Sequence, residues 1–149
     1  MFNTEYRLAA HNIKVIKAYS NYDGSTKVKL AKNLLIGSLM NVLDNSIYWL
    51  EKAKDAKPSL NKSIYINIVE DENYLNIVFA DNGTGFLIPT DDIIEPFVTA
   101  KSNGIGLGLH ISNEIMLAQK GKLLFPNTGD FEIPIDFEFG ATIVFSLKK

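Results

Sequence analysis

Apolar positions along the 149-residue chain change period several times, and each change marks an element. "HNIKVIKAY" (11–19) alternates at Ile13 and Val15 and reads as a strand. "NYDGST" (21–26) reads as a turn. From Lys29 to Lys54, Leu30, Leu34, Leu35, Leu39, Val42, Leu43, Ile47 and Leu50 recur at helical spacing, which predicts one long helix with Pro58 beyond its end. "SIYINIVE" (63–70) and "YLNIVFA" (74–80) alternate and are joined by Asp71-Glu72-Asn73, a hairpin. Residues 86–103 read as a loop holding one short helical piece, "TDDIIEPF", with Thr90 as its cap. A second helix should follow the glycines near 106 and stop at Lys120-Gly121, with Gly121 as a left-handed cap. "KLLF" (122–125) and "ATIVFSL" (141–147) supply two more strands. The expected fold is therefore α+β: a two-layer sandwich of a sheet of about five strands with two main helices on one face.

Composition narrows this picture without redirecting it. At 46% hydrophobic the chain can bury a real core, and with no repeat or linker it reads as one domain over 1–149. The abrupt start "MFNTEYRL" suggests a fragment of a larger protein. A formal charge of −2 gives no case for a nucleic-acid partner or for direct membrane contact by this domain. Without cysteine there is neither a disulfide framework nor a thiolate metal site, which fits a reducing cytoplasm. No apolar run approaches the roughly 20 residues of a membrane span, so a cytoplasmic domain is expected, whatever anchors its parent.

Three stretches carry candidate chemistry. Asn41 and Asn45 lie one turn apart on the long helix, and Ser38, Tyr48 and Lys52 extend the same polar stripe. Most such stripes are solvated surface, but amide oxygens also suit a hard cation such as Mg²⁺ already bound to phosphates. "FADNGTGF" (79–86) ends a strand on Asp81 and places Gly83 and Gly85 directly behind it. A turn and a pocket are both open here: a carboxylate at a strand end can accept a hydrogen bond from an exocyclic amino group, and glycine lets backbone approach a flat ring. "KSNGIGLGLHIS" (101–112) spaces Gly104, Gly106 and Gly108 by two and then opens a helix, an arrangement suited to phosphate. It is neither a P-loop nor a convincing dinucleotide fingerprint. Five of the ten glycines fall in 83–85 and 104–108.

In this order the three stretches resemble the histidine-kinase-like ATPase superfamily of sensor histidine kinases, type II topoisomerases, MutL proteins and Hsp90. "NVLDNSI" looks like its asparagine box and "DNGTGF" like its first glycine box. "EPFVTAKSNGIGLGLHIS" is similar to the phenylalanine box and second glycine box of sensor kinases, and "GATIVFSL" to the family's terminal strand. The likeness runs from Lys27 to Leu147. It implies a Bergerat-type ATP-binding fold with a mixed sheet, and ATP and Mg²⁺ as ligands.

Residue by residue, the resemblance implies that Asp81 reads the adenine amino group alongside a water held by Thr142, with Gly83 and Gly85 giving the purine room. Asn45 matches the Mg²⁺ ligand. Gly104, Ile105, Gly106, Leu107, Gly108 and Leu109 match the segment whose amides bind phosphates. Residues 86–103 would be a mobile lid anchored by Phe97. Hydrolysing members usually carry Glu at the position of Asn41, and a carboxamide cannot take a proton from water. Asn41 thus favours passing the γ-phosphate to a histidine on a separate dimerisation domain, with Asn41 and Asn45 as the chemical pair. A nucleotide-driven switch module and a slow ATPase are the alternatives.

The chain departs from the kinases at Tyr48 and Trp49, where Lys or Arg followed by Tyr is common. Lys52 or Lys101 would then have to neutralise phosphate charge. Trp49 either stacks on adenine or packs on the sheet. His11 reads as part of a strand and His110 as a packed or surface helix residue, so neither is read as the acceptor. "TGDFEIPIDFEF" reads as an extra hairpin or a partner surface, with no chemistry attached.

Overall fold

The structure, a computed structural model, describes residues 2–20, 22–127 and 129–149. Five strands form one mixed sheet: β1 (Lys14–Ala18), β2 (Ser63–Glu70), β3 (Tyr74–Asp81), β4 (Lys122–Leu124) and β5 (Thr142–Lys148), in the spatial order β1-β2-β3-β5-β4. Only β1 and β2 run parallel; every other pair is antiparallel. The helices are α1 (Phe2–Ala10), α2 (Lys32–Ala56), the one-turn α3 (Thr90–Ile93) and α4 (Gly108–Ala118).

Alternation decides which strand residues meet the helices. Ile64, Leu75, Phe79, Ile143, Phe145 and Leu147 point to one face and pack with Leu35, Val42, Leu43, Ile47 and Leu50 of α2 and Leu109 and Met116 of α4. Burying such side chains contributes about 1.5–3 kcal/mol each. The hairpin, the long helix and the two late strands therefore stand where the apolar periods predict, and the α+β sandwich is as expected.

Several local expectations are corrected. Residues 2–10 form α1, an element the apolar pattern does not predict, since among its described side chains only Leu8 reaches the core. His11 then lies in the turn after α1, and β1 starts at Lys14. The turn at 23–25 is present, with the Ser25 N–H donating to Asp23 at 2.8 Å; Asn21 lies outside the described residues. Thr90 does not cap α3: Pro89 stands at that position and no side chain caps the helix. The left-handed residue after α4 is Lys120 (φ 59°), not Gly121. Gly121 is required for another reason, since a Cβ there would meet the Ser146 carbonyl oxygen at 2.7 Å. Ser38 is no part of a solvated stripe, being fully buried with its hydroxyl bonded to the Leu34 carbonyl at 3.0 Å.

The 127–140 segment is not a hairpin. Its described part makes two 3-10 turns, Asp130–Glu132 and Ile135–Phe137, while Thr128 lies outside the described residues. It drives Phe137 (2% exposed) against Tyr65, Val78, Ala80 and Val144 on the sheet face opposite the helices. The Tyr65 and Phe137 rings lie 5.6 Å apart. The sandwich thus has a small second core on its far side.

Candidate functional site

A crevice of about 450 Å³ opens between α2, the end of β3 and the stretch from Gly85 to Ile111. Asp81 lies at its floor and is 2% exposed. The last residue of β3 turns its carboxylate to the helix face, as Phe79 does two residues earlier. Three donors hold it: the Ser46 hydroxyl at 2.9 Å, the Gly83 N–H at 3.0 Å and the Ala141 N–H at 3.3 Å. Burial nevertheless outweighs these bonds and raises the Asp81 pKa above the ordinary carboxylate value.

The two glycines behind Asp81 stand differently toward the crevice. A Cβ at Gly83 would sit 3.1 Å from the Asp81 carboxylate, so this residue turns its amide onto Asp81 and does not itself line the crevice. Gly85 does line it, and its φ of +75° is open to glycine at no cost.

Asn41 and Asn45 both reach the crevice from α2, with Trp49 one turn further along and Asp44 at the rim. Asn41 Nδ2 donates to the Gly108 carbonyl at 3.4 Å, which ties the long helix to the start of α4. Trp49 lines the crevice and meets the Tyr48 ring edge-on at 4.9 Å. Asp44 pairs with Arg7 of α1. Glu51, one turn and a half beyond Asn45, accepts from Lys62 and from His11 Nδ1 at 3.1 Å, so α1, through Arg7, and the turn after it, through His11, are both tied to α2. Lys62, foremost, holds the Glu51 carboxyl below its usual range.

On the opposite wall, Gly104 through Leu109 all line the crevice. Gly106 takes φ +78° where a Cβ would collide with the Val98 amide nitrogen at 2.6 Å. Gly108 opens α4, and the space its missing side chain leaves extends to Asn41, 3.8 Å away. The first amides of α4 have no partner inside the helix, and no side chain caps them. Lys101 stands on the same wall. The lid-like stretch is pinned at its base by the Phe97 N–H donating to the Gly106 carbonyl at 2.9 Å, and α3 is held by His110 Nδ1 donating to the Ile94 carbonyl at 3.0 Å.

Besides Gly83, two further expected residues are not brought to this crevice. Phe97 does not anchor the lid in the core: it is 73% exposed, with φ +67°. Thr142 pairs with Ala80, so strand alternation sends its side chain to the far face, where it lines a separate hollow with Phe86, Phe125 and Phe137. Ala141 is the residue that faces Asp81, through its backbone. Sequence reasoning missed Ser46, although its place next to Asn45 on the apolar side of α2 was the available signal.

The donor set bears on a metal. Among the described residues no group of three His, Cys, Asp or Glu could hold one. Amide oxygens at Asn45 and Asn41 fit a cation that keeps its waters and leans on a ligand's phosphates, as Mg²⁺ does. Among the described residues no helix is long and apolar enough to cross a membrane.

Comparison with known proteins follows the same lines. The family model described as histidine kinase-, DNA gyrase B- and HSP90-like ATPase matches residues 32–149. The chain is 34% identical over 104 residues to an NtrY-like sensor histidine kinase of Rickettsia bellii, covering 68% of this chain and 16% of that protein. It is 32% identical over 79 residues to the C4-dicarboxylate transport sensor protein DctB of Rhizobium meliloti, covering 52% of this chain and 12% of that one. The chain therefore spans a small part of the length of these relatives. Among solved structures, a nucleotide-free catalytic domain of the histidine kinase ThkA superposes with a TM-score of 0.73 at 22% identity, over 99% of this chain and 88% of that one. The mycobacterial sensor histidine kinase MprB gives 0.66 at 19% identity, over 99% and 90%. At these identities the likeness is one of fold.

Proposed function

Because this chain belongs to the histidine kinase-, DNA gyrase B- and HSP90-like ATPase family, we propose that it is the catalytic ATP-binding domain of a sensor histidine kinase. It would present the γ-phosphate of Mg·ATP to a histidine on a separate dimerisation domain. One observation carries this reading: a buried carboxylate, Asp81, and the glycine segment from Gly104 to Leu109 line the same crevice. The carboxylate matches the adenine amino group, and the amides match a polyphosphate.

Asn45 would contribute its side-chain oxygen to the Mg²⁺, which neutralises developing charge on the phosphates when bound. Asn41, also in the crevice, cannot deprotonate water, which supports transfer over hydrolysis. Catalysis by this chain is then positioning: Asp81 fixes the base, the α4 amides and Lys101 hold the phosphate chain, and the lid excludes water.

Phosphotransfer is tested by incubating the domain with γ-labelled ATP and the separately prepared histidine-bearing domain of its parent. Label on that histidine is expected, with free phosphate released far more slowly. Label that never leaves ATP would favour the switch-module reading, and release at several turnovers per minute would favour a hydrolase. The metal has its own test. Chelation is expected to weaken ATP binding about tenfold, about 1.4 kcal/mol, and to leave adenosine binding unchanged. Asn45→Ala should abolish that difference, and an Asn45→Ala domain still sensitive to chelator would place the metal elsewhere.

A further inference from the structure

Position 48 is where kinases resembling this chain commonly carry a cation, and here it is tyrosine. Two ammonium groups converge on its ring. Lys101 Nζ lies 5.0 Å from the Tyr48 centroid and Lys52 Nζ 5.7 Å, both within cation–π range. Of the two, only Lys101 lines the crevice. The Ser102 N–H points at the Tyr48 hydroxyl from 3.5 Å, so the loop carrying Lys101 touches this side chain at two places.

We propose that Tyr48 is a platform that seats Lys101 over the crevice, so that the lid delivers the phosphate-facing charge that α2 lacks. This rests on the nucleotide reading above and names Tyr48 as a positioning residue for it. An aromatic ring suits the task better than a carboxylate would. A carboxylate partner cancels the ammonium's charge, whereas a ring quadrupole holds the ammonium and leaves its charge available to an anion. Asp44 is the competing carboxylate at the rim; its direct partner is Arg7, and it acts on Lys101 through its charge alone. Burial lowers the Lys101 pKa, while Asp44 and Tyr48 oppose that effect, as expected for an ammonium lodged among these groups. Lid closure and charge neutralisation thereby become one event.

The test is calorimetric titration of Mg·ATP and of adenosine into the wild type, Tyr48→Leu, Tyr48→Phe, Lys101→Gln and the Tyr48→Leu/Lys101→Gln double variant. Tyr48→Leu and Lys101→Gln should each weaken ATP about five- to tenfold, and the double variant no further, since both remove one interaction. Tyr48→Phe keeps the ring and should bind like the wild type. Adenosine affinity should be the same in all five proteins, which separates a lost charge from a damaged fold. A wild-type domain that binds neither ligand would sink the nucleotide reading itself. With wild-type binding intact, a harmless Lys101→Gln, a Tyr48→Phe as weak as Tyr48→Leu, or losses that multiply in the double variant would overturn the platform.

Discussion

Asp81→Asn is expected to bind Mg·ATP about a hundredfold more weakly than the wild type, roughly 2.7 kcal/mol, while folding as well or better. The two outcomes share one cause. An asparagine can keep its oxygen under the Gly83 and Ala141 amides and turn its NH₂ to the Ser46 hydroxyl, so the local bonds of Asp81 survive. What it presents to an adenine amino group is then a donor facing a donor. Stability should move the other way, because burial raises the Asp81 pKa. The native state then holds its proton to higher pH than the unfolded chain does. Stability from this group is fully present below the unfolded value and is lost as pH rises through the folded one. Asparagine has no such decline. The melting temperature of the wild type minus that of the variant, followed upward from pH 4, should therefore fall and then level off. Glu51, Glu70 and Asp71, whose pKa values are lowered, act in the opposite direction but are common to both proteins and cancel in the difference. Equal ATP affinity in the two proteins would remove Asp81 from the base pocket.

Phe137→Ala is the second large effect, and it concerns stability. Phe137 is the centre of the far-side core, packed on Tyr65, Val78, Ala80 and Val144. Truncating a buried Phe costs about 3–5 kcal/mol, which for a domain of this size lowers the melting midpoint by about 10 °C. Denaturant melts would measure it. A loss below about 1 kcal/mol would mean that the 129–140 segment merely rests on the sheet. Phe139, two residues on and 82% exposed, serves as the internal control, and Phe139→Ala should change little.

What the sequence disclosed follows from where side chains bury together. The long helix, the hairpin and the last strand each carry a sustained apolar period, because each sets a whole face into the main core. Asn41, Asn45, Asp81 and the glycine run were legible as separate stretches, and the fold does bring them to one crevice. α1 was not legible, since a short helix whose described side chains place only Leu8 in the core leaves no period to read. The far-side cover was hidden for a related reason: in "DFEIPIDFEF" the phenylalanines recur as if in a strand, but Pro134 and left-handed backbone at Phe131 and Glu132 break the ladder. Thr142 shows how fine the margin is. A shift of one residue along β5 sends a side chain to the opposite face, and motif likeness alone does not fix which residue faces Asp81. Ser46 and Tyr48 needed three-dimensional neighbours before either could be given a part.

The strand order also bears on how copies of this domain treat one another. Both outermost strands have one open flank, where backbone groups could recruit a neighbouring polypeptide and seed aggregates. β1 is five residues long and carries exposed Lys14 and Lys17, like charges that would repel a second copy laid alongside. β4 stops after three residues, and Pro126 follows shortly, where a further amide donor would otherwise stand. The rims of the sheet are thus poor templates, which leaves the domain free to be held at high concentration without polymerising through its own strands.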